Sequence, residues 1–124
     1  MHASGYADRI DELADAAAAA RESFEPPADP PDEERAMELL REGFGPTVVV
    51  YLDARTGDEM PRFGREEFDR LERASDTWLS LYAACYGEDV DVDVPVRTAA
   101  ELLMETHNVK DVAQVLTDVP PRRG

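Results

Sequence analysis

Thr47-Val48-Val49-Val50-Tyr51-Leu52 is the run on which the fold class turns. It is apolar at successive positions, so both faces of an alternating backbone would be apolar, and its first four residues are β-branched. Such side chains suit a pleated surface, and a run without polar alternation suits a strand covered on two sides. The stretch therefore reads as a central strand over 47–53. Arg55-Thr56-Gly57 supplies a turn, and Asp58–Phe63 returns as an antiparallel neighbour. Pro61 cannot donate to a ladder, which assigns that neighbour to an edge. Asp89-Val90-Asp91-Val92-Asp93-Val94 alternates without a break, valines to one side and carboxylates to the other. It reads as a second edge strand, giving the spatial order 58–63, 47–53, 89–95.

Around this expected sheet the sequence places helices. Phe68, Leu71, Ser75, Trp78, Tyr82 and Cys85 make one seam at helical spacing, so residues 65–86 form a long helix, and Gly87 follows it. It holds the single Trp and two of the four Tyr, which makes it the expected centre of the core. Tyr6, Ile10, Leu13, Ala17, Ala20 and Phe24 form a second seam on an N-terminal helix. Pro26, Pro27, Pro30 and Pro31 then stop that helix and stiffen a linker. Asp32 can cap a short helix that Gly43 would end. Thr98-Ala99-Ala100-Glu101 has the form of a capping box, and Asn108 can cap a last helix to Leu116.

The expectation is an α+β protein: a small three-stranded antiparallel sheet packed by a long helix, with a C-terminal helical pair. Its parts are an amphipathic arm (1–25), a Pro-rich linker (26–31), a single globular domain (32–120) and a tail (121–124). Because the central strand is apolar on both faces, its second face must be covered by helices or by a second copy.

The 124 residues include 28 acids and 13 bases, for a formal net charge of −15, and a single Lys, Lys110. The charge is spread along the chain: residues 1–44 carry −8, residues 45–87 carry −3 and residues 88–124 carry −4. Even acidity with almost no Lys resembles the composition of salt-in halophilic archaeal proteins, a likeness of style and not of family. It implies a surface adapted to molar salt. The chain lacks an apolar stretch long enough for a membrane span, and Met1–Asp15 carries acids where a secretory leader has bases. One cysteine cannot form an internal disulfide, so a cytoplasmic setting is expected.

Chemical motifs are sparse. Counted from Asp89 as a calcium loop, position six is Val94 and position twelve Ala100, where Gly and Glu are required. One Cys and two His (Cys85, His2, His107) make a poor zinc set, and Cys85 sits on a core seam. Gly43-Phe44-Gly45 precedes the expected strand, the reverse of a phosphate-binding order. No catalytic, cofactor or metal residues are therefore assigned. By elimination, the sequence points to a non-enzymatic protein acting through protein–protein contact or a homodimer. Tyr6, Ile10, Leu13 and Phe24 on the arm are the expected contact residues. The alternative is a DNA-binding regulator. In it the C-terminal helical pair acts as a helix–turn–helix, with Lys110, Gln114 and Thr117 reading bases and Arg122 and Arg123 touching phosphate.

Overall fold

The computed structural model describes residues 5–56 and 65–119. Its elements are α1 (Gly5–Ser23), α2 (Glu33–Leu39), a π turn (Leu40–Phe44), α3 (Gly45–Thr56), α4 (Arg65–Cys85), α5 (Val96–Thr106) and α6 (Val109–Thr117). Among the described residues there is no strand, so the expected α+β fold gives way to an all-helical one.

The correction centres on Thr47–Leu52, which is the middle of α3. Its burial follows a helical period. Phe44, Thr47, Val48 and Tyr51 are buried, whereas Val49 is 43 % exposed. The preference of Val and Thr for strands is worth a few tenths of a kcal/mol per residue, which packing on several sides readily outweighs. Pro46 is tolerated because α3 continues from the π turn, where the regular N–H to O=C pattern is already broken. Helices α1, α4 and α5 pack against the segment, Tyr51 meeting Phe68 of α4 at 6.4 Å between ring centroids, and leave the Val49 side open. The expected partner strand 58–63 lies outside the described residues.

Asp89–Val94 is extended and alternates as expected, but it pairs with no strand among the described residues. It runs along α4, whose polar side chains take the place of a ladder. Ser80 Oγ donates to the Val90 carbonyl (3.3 Å), Val94 N–H donates to Asp76 Oδ1 (3.1 Å), and Val96 N–H donates to Glu72 Oε2. Val92 is buried, and Asp89, Asp91 and Asp93 face solvent.

α4 is the central helix, as its seam requires. Leu71, Ser75, Trp78, Tyr82 and Cys85 are all buried. α1 packs along it, with Ile10, Leu13 and Ala17 in the shared core and an Asp11–Arg70 ion pair across the seam. The N-terminal arm is thus a wall of the body. The linker ends where Asp32 N–H donates to the Cys85 carbonyl (2.7 Å), and Asp32 Oδ1 caps α2 by accepting from Arg35 N–H (3.1 Å).

Gly43 does not terminate a helix. It lies inside the π turn with its α-carbon against the Trp78 indole, where an added Cβ would come within 2.4 Å of Cδ2. The turn keeps Leu40, Gly43 and Phe44 in the core, and Thr47 Oγ1 donates to the Gly43 carbonyl at 2.8 Å. α5 starts at Val96 after Pro95, without a side-chain cap, so the Thr98–Glu101 capping box does not form. Asn108 does cap α6, its Oδ1 accepting from Asp111 N–H at 3.2 Å.

Candidate functional site

The π turn decides which residues of 33–56 share a face. At about 100° per residue, Met37 and Asp53 in one unbroken α-helix would point about 160° apart. A π turn spends one extra residue and takes back about 100°. Met37, Arg41, Gly45, Val49 and Asp53 then fall within about 80° of one another. All five line an open groove of about 950 Å³ between this stripe, Arg9 of α1 and the start of α6. The stripe is about 24 Å long at 1.5 Å per residue.

Its far wall is Asn108, Val109 and Lys110. The Asn108 cap fixes where that wall begins, and His107 makes the sharp joint before it in a left-handed conformation (φ 54°). A Cβ at Gly45 would meet the wall at an ordinary 3.6 Å from Val109 Cγ2 but would stand 2.9 Å from the Leu40 carbonyl, so the close approach at this glycine is to the π turn's own backbone.

The charge of the groove is opposite to that of the chain as a whole. In a chain with more than two acids per base, Arg9, Arg41 and Lys110 line it against one acid, Asp53. Arg9 reaches Glu12 at 3.8 Å and Arg41 reaches Glu42 at 3.7 Å, in exposed pairs that bind weakly. Lys110 is exposed and makes no ion pair among the described residues. The floor is apolar, with Val49 open to solvent. Such a surface can take an apolar side chain and hold carboxylates around it.

The titratable groups with displaced pKa values lie elsewhere. Burial pushes Asp76 up to about 6, with help from Glu72, Asp93 and Asp91, while the Val94 N–H bond pulls the other way. It lines a second, polar crevice between the end of α1, α4 and the Asp89–Val92 segment. Burial likewise pushes the Cys85 thiol up to about 11, the reverse of an activated nucleophile. Tyr82 is raised by burial and spends its hydroxyl on the Val119 carbonyl at 2.8 Å.

The residues singled out from sequence do not come together. Ile10 and Leu13 are 0 % and 4 % exposed, inside the core, where a partner cannot reach them. Phe24 is half-buried beneath the Arg35 guanidinium, 5.0 Å from the ring centroid, and the side chain of Tyr6 lies outside the described residues. Lys110 is on the groove. Gln114 is half-buried, and Thr117 turns inward, 6 % exposed, with its hydroxyl on the Ala113 carbonyl at 2.7 Å. The outward face expected of Lys110, Gln114 and Thr117 is therefore not a single exposed face. Arg122 and Arg123 lie outside the described residues.

Sequence reasoning missed Arg9, Arg41 and Val49. The four-residue spacing of Met37, Arg41, Gly45, Val49 and Asp53 was present, but reading 47–53 as a strand broke it in the middle.

No helix among the described residues is long and apolar enough to cross a membrane. No curated protein and no solved structure matches the chain. A family model described as a domain of unknown function matches residues 4–121, from the start of α1 to beyond α6, so the arm lies inside the family's unit. The chain belongs to that family, the domain of unknown function DUF8055.

Proposed function

We propose that this is a non-enzymatic, halophile-type cytoplasmic protein that works through protein–protein contact, with the cation-rimmed groove as its contact surface. The carrying observation is the charge of that groove, three bases to one acid on an apolar floor in a chain of net −15. A surface of that kind suits an amphipathic helix whose apolar side chains enter the groove while acidic neighbours meet Arg9, Arg41 and Lys110. Its length of about 24 Å accommodates three to four helical turns at 5.4 Å each. The non-enzymatic part is supported by where the displaced pKa values fall. Asp76, Cys85 and Tyr82 are outside the groove and are engaged in packing or hydrogen bonds. The DNA-binding alternative loses support because Thr117 is buried.

The test is binding of a labelled amphipathic helical peptide with acidic flanks, followed by anisotropy in 2–3 M KCl. A twin with the same apolar face and basic flanks is the control. The acidic peptide is expected to bind wild type and to lose at least about tenfold in affinity to Val49→Asp, the cost of a central anchor. Lys110→Glu should weaken it as well. Equal binding of both peptides, or binding indifferent to Val49→Asp, would overturn the proposal.

A further inference from the structure

We infer that one occupant of the groove is a second copy of this chain, entering with the outward face of α5. The inference rests on the groove reading above and names its partner. α5 presents Thr98, Glu101, Leu102 and Glu105 at spacings of three, one and three, a single stripe along the helix, with Met104 beside it. Met104 is 58 % exposed, more than either of the other large exposed apolar side chains among the described residues, Val115 (48 %) and Val49 (43 %). Two carboxylates, Glu101 and Glu105, stand to one side of it, and Glu101 meets Arg97 at 3.7 Å in an exposed pair. An apolar side chain beside two acids is the complement of an apolar floor among three bases.

Size agrees with charge. α5 has 11 residues, about 16 Å, and fits within the groove's stripe of about 24 Å. Met is unbranched and adapts to an irregular surface, so it suits an anchor entering a groove lined by Met37 and Val49. The α5 face and the groove share no residue, so one copy can offer both at once. The contact is therefore heterologous, groove to helix, and joins copies head to tail. Two chains of net −15 repel each other in dilute buffer. Molar KCl shortens the Debye length to about 3 Å, which removes that long-range repulsion and leaves the close contact.

Sedimentation velocity on the full chain in 3 M KCl, from about 10 to 500 µM, tests the assignment. Wild type should gain mass with concentration. Val49→Asp (groove lost) and Met104→Asp (α5 face lost) should each stay monomeric, at least tenfold weaker in self-association. An equimolar mixture should form a heterodimer, because one variant keeps the face and the other keeps the groove. Both positions are exposed, and unchanged circular dichroism would establish folding. Lys110→Glu offers a second groove variant. A monomeric wild type across the range, a Met104→Asp variant that still associates, or an inert mixture would overturn the inference. If wild type stays monomeric yet binds the acidic helical peptide, the self-contact fails and the groove reading stands; if it does neither, both fail.

Discussion

Replacing Gly43 by alanine sets two effects against each other at one position. Within a helical segment, Gly→Ala gains about 0.8–1.0 kcal/mol from propensity. Against this, the new Cβ would stand 2.4, 2.5 and 2.6 Å from Cδ2, Cε3 and Cε2 of Trp78, atoms in the body of the indole and not at a flexible tip. Ordinary carbon contacts are about 3.5–4.0 Å, so the ring or the π turn must retreat by about 1 Å. Trp78 is 5 % exposed and packed in the core, where insertions of this kind cost about 1–3 kcal/mol. With a rigid neighbour the upper half of that range applies, leaving a net loss of about 1–2 kcal/mol. For a chain of this size that lowers Tm by about 5 °C. Circular dichroism at 222 nm in 3 M KCl measures the melt, and Trp78, the single Trp, reports the displacement as a shift in emission. A Tm equal to or above wild type, with unshifted emission, would refute the close approach of Gly43 to the indole.

Four further outcomes follow from the same structure. Cooperative melting is expected in molar KCl and weak folding in low salt, because screening relieves the repulsion among the acids; a Tm that stays flat across that range would overturn the halophile reading. Asp76 has its folded pKa raised from 3.8 to about 6, chiefly by burial, so its charge penalises the folded state above about pH 6 and the penalty fades as pH falls toward 4. Asp76→Asn keeps an acceptor for Val94 N–H and should melt higher than wild type at pH 8, with the difference shrinking by pH 5; an unchanged difference would refute the buried charge. Cys85 is 0 % exposed with its thiol pushed up to about 11, so a maleimide should label it only after unfolding, and prompt labelling of the native protein would contradict its placement. Asn108→Ala removes the acceptor for Asp111 N–H and should cost about 1 kcal/mol, read as a lowered Tm.

What was legible in the sequence was local. The seam from Phe68 to Cys85 gave α4 to within a residue, Asn108 marked the start of α6, and the alternation of Asp89–Val94 marked an extended segment with valines inward. Each of these depends on periodicity or on a cap a few residues away, and nothing distant can reverse them cheaply. The valine run at 47–50 is the opposite case. Its residues favour strands by little, and its burial on several sides fits either a central strand or a central helix. The neighbours chose between them, by packing α1, α4 and α5 against α3 and by pressing Gly43 onto Trp78, 35 residues later in the chain.

By itself the sequence determined the helical seams, the caps at Asp32 and Asn108 and the even acidity, because these depend on spacing and composition alone. Tertiary structure decided the rest. Whether the Ile10–Leu13 seam would face its own core or another molecule was settled by α4 offering a matching face. The groove exists because a π turn, stabilised by contacts from α4 and by Thr47 Oγ1, rotates Val49 and Asp53 into line with Met37 and Arg41. A shift of about 100° in register costs one residue, and its mark on the sequence is a run of four-residue spacings, Ala36, Leu40, Phe44 and Val48, which a strand at 47–53 conceals. It gathers three scattered bases into one groove where they outnumber acids three to one.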